Sequence, residues 1–372
     1  MTTLSHAALP EGIGARFVDN GNGLRMHLLE AGMPGRPLLL LLHGFPELAY
    51  SWRRVMLPLA AEGYHVVAPD QRGYGRTSGG DGAFTADLTR FAMPNLVRDA
   101  AGLIAALGHR RAAAVIGHDF GAPVAAWCAL SHPDLFPAAA LMSAPFAGPP
   151  PVPGMPTMAA IEAGLARLSP PRKHYQAYYS TAAAAPEMDA PEEGLHAFLR
   201  AYYHAKSADW PGNQPSRLAS WEASELARMP RYYIMDQKAS MPASVAACRP
   251  SAAAIAACRW LSETELAVYA AEFARTGFQG GLNWYRAATS GAAREDMQRF
   301  AGRAIAGPTV FIAGAADWGV YQAPGAVERM RDAACADFRG IHLIPGAGHW
   351  VQQEQPEAVV TILRDFLRAR SP

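Results

Sequence analysis

The residues best suited to chemistry lie in a short glycine-flanked segment, Gly-His-Asp-Phe-Gly, at residues 117–121. An apolar run at residues 112–116 precedes it, and a helical pattern at residues 122–130 follows. Glycines on both sides of one side chain are typical of the tight strand-to-helix turn that presents a nucleophile. An aspartate before a helix can also be a simple cap, but a cap needs neither glycine nor a preceding strand. We therefore expect Asp119 to be a nucleophile.

A carboxylate nucleophile determines which reaction is possible. It needs no base for its own deprotonation, and it can attack a saturated carbon directly to give an alkyl ester of the protein. Hydrolysis of that ester requires an activated water molecule and hydrogen-bond donors for the oxyanion. The sequence should therefore also supply a histidine base and a pair of backbone donors.

Two later segments supply a histidine and a second acid. His349 follows an apolar run at residues 340–344, and Asp317 follows another at residues 308–313. The chain order of nucleophile, acid and histidine is that of a known catalytic triad. The chain has 12 histidines, and loop aspartates often only cap turns. Order and loop position together nevertheless favour His349 as the base and Asp317 as the acid that orients it.

The backbone donors are expected in His-Gly-Phe-Pro at residues 43–46, directly after five leucines at residues 38–42. The N–H of Phe45, with that of Phe120 just after the nucleophile, would form the oxyanion hole. An ordinary Gly-Pro turn is the alternative. We interpret His43 as a structural residue that hydrogen-bonds within the loop.

The elements that must position these residues are short apolar runs separated by helical patterns, which predict a mostly parallel sheet flanked by helices. The predicted strands cover residues 25–30, 38–42, 64–68, 112–116, 138–142, 308–313 and 340–344. The predicted helices of the core cover residues 51–61, 95–107, 122–130 and 356–367. Between the fifth and sixth predicted strands the pattern is helical, with no strand alternation. We therefore expect a core in two parts, 1–144 and 305–372, and an inserted helical domain at 145–304.

Composition limits the class of partner. The chain has 372 residues, 50% hydrophobic and 17% charged, which is enough to bury a large core. A net charge of +1 gives no long-range field for nucleic acid or a membrane surface, so the expected partner is a small molecule that is uncharged overall. Four scattered cysteines indicate neither a zinc site nor a disulfide framework. The glycines of residues 73–79 are out of register for dinucleotide binding. We therefore expect no metal and no cofactor.

No export signal or long apolar stretch occurs, so we expect a cytoplasmic location. The choice between monomer and homodimer stays open.

These motifs resemble the α/β-hydrolase superfamily and, within it, the soluble-type epoxide hydrolases, over nearly the whole chain. The core resemblance rests on residues 43–47, 70–75, 117–121 and 348–350. It implies an α/β-hydrolase fold with an inserted helical cap, or lid, and conversion of an epoxide and water to a vicinal diol without a cofactor. Phe120 replaces the tryptophan that is common at this position in the family.

Two segments of the insertion resemble the lid-tyrosine motifs of epoxide hydrolases, at residues 173–179 and 277–286. Tyr175 and Tyr285 fall on the positions of the two tyrosines that contact the epoxide oxygen. The chemistry agrees, because an opening epoxide leaves a basic oxygen and a phenol can protonate it while staying neutral at pH 7. Without the resemblance, a tyrosine packing stripe at helical spacing would be the simpler interpretation.

The core motifs alone are shared with haloalkane and haloacid dehalogenases, so a dehalogenase with the same nucleophile is the main alternative. It is disfavoured because Phe45 and Phe120 offer no side-chain donor for a halide. A serine esterase is disfavoured because the turn has no serine, and a non-catalytic ligand-binding scaffold because no triad member is missing. Trp318, Trp350 and Pro46, adjacent to these residues, are candidates for the pocket wall.

Overall fold

A computed structural model describes residues 2–4 and 8–369. Its main feature is an eight-stranded sheet in the order β1-β2-β4-β3-β5-β6-β9-β10. The β1–β2 and β2–β4 pairs are antiparallel, and every other pair in this sheet is parallel. Its strands are β1 (Gly14–Asp19), β2 (Arg25–Ala31), β3 (Leu38–Leu42), β4 (His65–Pro69), β5 (Ala112–His118), β6 (Ala139–Met142), β9 (Ile305–Gly314) and β10 (Cys335–Ile344).

Helices cover this sheet and fill the segment between β6 and β9. Those before β6 are α1 (Arg53–Ala61), α2 (Met93–Ala106) and α3 (Gly121–Ser131). Those between β6 and β9 are α4 (Met158–Leu165), α5 (Tyr175–Tyr179), α6 (Ala184–Asp189), α7 (Leu195–Lys206), α8 (Ala223–Leu226), α9 (Met241–Ala246), α10 (Ala252–Ala257), α11 (Glu263–Thr276), α12 (Gln279–Ser290) and α13 (Arg294–Gln298). Those after β9 are α14 (Ala326–Arg329), α15 (Val351–Glu354) and α16 (Pro356–Arg368). Short 3₁₀ turns lie at Ala49–Trp52, Leu88–Phe91 and Trp318–Val320, and a π-helical turn at Met330–Ala334.

The predicted α/β architecture is confirmed. All residues of β3, β4 and β6 are buried, as expected of parallel strands covered on both faces. α3 packs on β5 and β6, and α1 packs on β4 and α16. The carboxyl ends of β5, β6 and β9 therefore meet at one edge of the sheet, where ligands of open α/β sheets bind.

Three details differ from the sequence prediction, and the first is β1 (Gly14–Asp19), which was not predicted because its residues form no apolar run. The expectation of no strand in the insertion is wrong, because β7 (Arg172–His174) pairs antiparallel with β8 (Ile234–Asp236). Three residues per strand are too few for an alternation to be visible in the sequence. β10 begins five residues before the predicted start at residue 340, because this edge strand is half exposed and bulged, which interrupts its apolar run.

No helix among the described residues is long and apolar enough to cross a bilayer. The same residues contain no cluster of three or more histidine, cysteine or acidic side chains arranged to bind a metal ion. Cys128, Cys248, Cys258 and Cys335 are all free thiols.

Candidate active site

Asp119 lies in the turn between β5 and α3 with a φ of +50°, in the left-handed region that non-glycine residues rarely adopt. A Cβ on Gly117 would lie 2.0 Å from the Gly121 carbonyl oxygen, and a Cβ on Gly121 would lie 2.2 Å from that of Leu42. Both glycines are thus required by backbone contact. The alternative role as a helix cap does not hold, because α3 has no side-chain cap and the Asp119 carboxylate points elsewhere.

The two oxygens of the Asp119 carboxylate have different neighbours. Oδ1 accepts a hydrogen bond of 2.9 Å from the backbone N–H of Phe45. Oδ2 lies 3.2 Å from Nε2 of His349, and this buried Nε2 makes no hydrogen bond to a described residue. Burial alone would raise the pKa of Asp119, yet nearby His349 and the charges of Lys206 and His118 hold it well below the usual range. Asp119 is therefore an anion at neutral pH, with one oxygen unoccupied by a backbone donor.

His349 is oriented from its other ring nitrogen. Nδ1 lies 3.1 Å from Oδ1 of Asp317 and 2.8 Å from Oγ of Ser143. The Ser143 hydroxyl donates to the second oxygen of Asp317, and the N–H of Gly319 donates to Oδ1 at 2.7 Å. Against the effect of burial, these groups lower the pKa of Asp317. Asp317 is thus a buried anion that fixes the proton of His349 on Nδ1 and leaves Nε2 as the basic atom.

A buried charged pair lies behind the triad. Nδ1 of His118 lies 2.6 Å from Glu47, and Nε2 of His118 lies 2.7 Å from the carbonyl oxygen of His349. Both ring nitrogens face acceptors, so the ring is doubly protonated; burial lowers its pKa, but Glu47 more than offsets this and raises it. Glu47 also accepts from Gln352 and Gln353 of α15. The hydrogen bonds of this pair therefore connect the loop after β3 with the turn that carries Asp119 and the loop that carries His349.

The loop after β3 is fixed by the segment after β4. Gln71 donates from its side chain to the carbonyl of His43 at 2.6 Å, and its N–H donates to Nε2 of His43 at 3.1 Å. His43 thus has the structural role expected of it. Gly44 approaches the nucleophile so closely that a Cβ there would lie 2.3 Å from Cβ of Asp119. This contact allows the N–H of Phe45 to reach the carboxylate.

The ring of Tyr285 packs on the side chains of Phe45 and Phe120, the two residues proposed for the oxyanion hole. Its ring centroid is 5.5 Å from that of Phe45 and 5.0 Å from that of Phe120. α12, which carries it, docks on the core through glycine: a Cβ on Gly280 would lie 2.1 Å from the carbonyl oxygen of Gly73. The glycines of the second lid motif therefore permit the close approach that positions Tyr285.

Tyr175 is the first residue of α5, and its ring centroid lies 6.0 Å from that of Tyr285. Its hydroxyl donates to Oε1 of Gln322 at 3.0 Å and accepts from Nε2 of Gln176 at 3.1 Å. Burial and the negative charge of Asp119 raise the pKa of both tyrosines well above the usual value. Both phenols are therefore neutral proton donors at pH 7.

The three candidates for the pocket wall differ in their surroundings. Trp318 is buried, and its indole N–H makes no hydrogen bond to a described residue. Trp350 is fully buried; its ring packs 4.7 Å from that of His349, and its N–H donates to the carbonyl of Tyr203. Pro46 is buried, and its carbonyl accepts from the hydroxyl of Tyr203 at 2.7 Å.

Sequence reasoning did not identify several polar residues that hold the site. Glu47 lies in the motif at residues 43–47 and His118 directly precedes Asp119, so the position of each residue in the sequence could have indicated a role in the site. Ser143 directly follows the strand at 139–142, which is its only signal. Gln322 and Lys206 had none, because their positions depend on how distant segments pack.

Comparison with known proteins agrees with this geometry. A family model described as alpha/beta hydrolase fold matches residues 37–356. Epoxide hydrolase A of Mycobacterium tuberculosis is 36% identical over 364 residues, covering 95% of this chain and 96% of the relative. Epoxide hydrolase B of the same organism is 32% identical over 371 residues, covering 95% and 98%.

Solved structures give the same result. Epoxide hydrolase A from Mycobacterium thermoresistibile superposes with a TM-score of 0.75 at 36% identity, covering 96% of this chain and 98% of the other. Epoxide hydrolase I of potato (Solanum tuberosum) superposes with a TM-score of 0.75 at 30% identity, covering 96% and 99%. The chain therefore belongs to the α/β-hydrolase fold family and, within it, to the epoxide hydrolases.

Proposed function

We propose that the protein hydrolyses an epoxide to a vicinal diol through a covalent ester on Asp119. The observation that carries the proposal is the surroundings of this carboxylate: Phe45 N–H on one oxygen, His349 Nε2 beside the other and two neutral tyrosines on the cap side. Residues 145–304 then act as a cap domain over a core formed by 1–144 and 305–372.

In the first step, Oδ2 of Asp119 attacks one ring carbon while the carbon–oxygen bond of the epoxide breaks. Tyr175 and Tyr285 donate hydrogen bonds to the departing oxygen, and one of them transfers its proton. Gln176 already donates to the hydroxyl of Tyr175, so it would stabilise the phenolate that this transfer leaves. The products are a hydroxyalkyl ester and a tyrosinate.

In the second step, Nε2 of His349 takes a proton from water, and the resulting hydroxide attacks the ester carbonyl. The oxyanion that forms on the former Oδ1 accepts from the N–H groups of Phe45 and Phe120. Asp317 stabilises the imidazolium. Collapse breaks the bond between Cγ of Asp119 and the substrate-bound oxygen, and the departing alkoxide takes the remaining proton of the water to leave as the diol. One water oxygen stays in the Asp119 carboxylate, and the histidine proton returns to the tyrosinate.

The proposal is tested by trapping the ester. His349→Gln retains the nucleophile and the tyrosines but removes the base, so incubation with a mixed panel of epoxides and haloalkanes should add the mass of a whole epoxide to the protein. The matched control is His349→Gln with Asp119→Asn, which should gain no mass. An alkyl adduct that has lost its halogen would instead establish a dehalogenase, and an adduct in the control would remove Asp119 from the mechanism.

A further inference from the structure

The cap holds a buried cation that the mechanism above does not use. Lys206 is the last residue of α7, is 4% exposed, and is one of only three lysines in the chain. Its ammonium lies over four rings, those of Tyr202, Tyr232, Tyr233 and Trp350, at 5.5, 6.0, 5.1 and 5.5 Å from the ring centroids. These four residues form an aromatic cage around the ammonium.

The aromatic cage is part of the wall around the reacting groups. Trp350 packs on His349, and Tyr233 packs on Tyr175 with 5.1 Å between ring centroids. The backbone carbonyl of Lys206 accepts from the N–H of His349 at 2.8 Å, which fixes the end of α7 against the histidine loop. The charge of Lys206 also helps to lower the pKa of Asp119, although burial opposes this effect. Lys206 therefore lies beside two side chains, Trp350 and Tyr233, that pack directly on His349 and Tyr175.

The ammonium of Lys206 has no ionic partner in contact with it. Among residues 2–4 and 8–369, no carboxylate oxygen lies within 4 Å of its Nζ. Aromatic faces compensate only part of the lost hydration of a buried ammonium, and a buried charge normally requires a counter-ion. Asp119, whose pKa the charge of Lys206 helps to lower, would lose its own charge when the proposed ester forms. A negative group on the substrate would instead remain beside Lys206 throughout the reaction.

We propose that Lys206, held in place by the aromatic cage, binds a carboxylate group of the substrate, so that the preferred substrate is an epoxide with a carboxylate on a short substituent. This inference rests on the proposed epoxide hydrolysis. A compact monoanion matches a single ammonium. An uncompensated substrate carboxylate would repel Asp119, and Lys206 removes this repulsion.

The test compares two epoxides of the same skeleton, trans-3-phenylglycidate and trans-3-phenylglycidamide, which differ by a carboxylate and a neutral amide. We expect wild-type kcat/KM to favour the acid by about tenfold or more, the range of a charge-assisted contact. Lys206→Met, of similar length but without charge, should lose this preference. Lys238→Met is the control, because Lys238 is exposed, and it should retain the wild-type ratio.

A wild-type ratio near one overturns the proposal. An equal fall in kcat/KM for the acid and the amide in Lys206→Met also overturns the proposal, since Lys206 would then act only through the charge of Asp119. Calorimetry on the wild-type protein with the acid diol and the amide diol needs neither a variant nor turnover, and equal affinity for the two diols would overturn the proposal. Failure to hydrolyse any epoxide, including neutral trans-β-methylstyrene oxide, would refute the proposed function, while the calorimetric comparison would still decide the carboxylate site.

Discussion

Ser143 is the residue whose substitution should separate the two chemical steps. It follows β6 with a φ of +70°, donates to Asp317, and lies 2.8 Å from Nδ1 of His349. Asp317 has two other donors, His349 and the N–H of Gly319. Removal of the hydroxyl therefore leaves the acid in place but takes away one of three hydrogen bonds to a buried carboxylate.

The size of the effect follows from these contacts. A hydrogen bond to a buried charged group contributes about 1.5–3 kcal/mol, so Ser143→Ala should lower the free energy of unfolding by that amount. Ser143→Gly loses the same bond but relieves the left-handed conformation, which costs a non-glycine residue about 1–2 kcal/mol. We expect the glycine variant to be the more stable of the two in denaturant unfolding, by about 1 kcal/mol.

The kinetic effect should fall on one step. His349 acts as a base only in ester hydrolysis, so loss of about 1.4–2.8 kcal/mol of support for its imidazolium slows that step about ten- to hundredfold. Alkylation of Asp119 should keep its wild-type rate, since it does not involve the histidine as a base. The ester then accumulates, and kcat and KM fall together while kcat/KM is nearly unchanged.

Rapid-quench mass spectrometry of Ser143→Ala with styrene oxide measures both steps directly. The expected result is a fast gain of the epoxide mass followed by slow loss. Wild-type hydrolysis of the ester would show that the hydroxyl does not support the triad. Slowing of alkylation by the same factor would show that the substitution had disturbed the nucleophile turn, and either result would refute the reasoning.

Three further predictions follow from particular contacts. Tyr175→Phe and Tyr285→Phe should each slow ester formation, and the double variant should form no ester by mass spectrometry, because no phenol is left to protonate the epoxide oxygen. Gly44→Ala should abolish ester formation, since its Cβ would lie 2.3 Å from that of Asp119; a labelled ester would refute this clash. Asp70 is held at a pKa of about 2, against 3.8 when unperturbed, because hydrogen bonds and a histidine partner outweigh burial. It should contribute about 2 kcal/mol of stability above pH 4 that disappears as pH falls towards 2. In Asp70→Asn, the free energy of unfolding should therefore fall less over this acid range than in the wild-type protein, as measured by unfolding titrations. An unchanged fall would contradict the assignment.

The features that could be predicted from sequence are those with short-range causes. The five leucines of β3 and the apolar run of β5 indicate buried parallel strands wherever they occur, and the structure confirms them. The glycines around Asp119 are required by backbone contacts within a few residues and one neighbouring strand. Such patterns can be interpreted from a single sequence because they do not depend on residues that are distant in the chain.

The residues that sequence reasoning missed depend on long-range packing. Lys206 ends an amphipathic helix, where a lysine usually reaches water, and three of the four rings around it, those of Tyr232, Tyr233 and Trp350, come from other segments. Ser143 has a left-handed backbone conformation that its residue type does not predict. In both cases the interacting group comes from a different part of the chain, and no local pattern encodes it.

In the proposed mechanism Tyr285 and Asp119 act on the same epoxide, so α12 must be held firmly against the segments that carry Asp119. Contacts between flexible side chains would hold the two segments less firmly than direct contact between their backbones. Gly280 of α12 meets Gly73 with no room for a Cβ on either residue, and the neighbouring Trp284 N–H donates to the carbonyl of Arg72 at 2.9 Å. The second lid motif therefore combines a docking surface, Gly280 and Trp284, with the group it positions, Tyr285. If Tyr285 donates the proton as proposed, Gly280 is therefore as necessary for that step as the tyrosine itself.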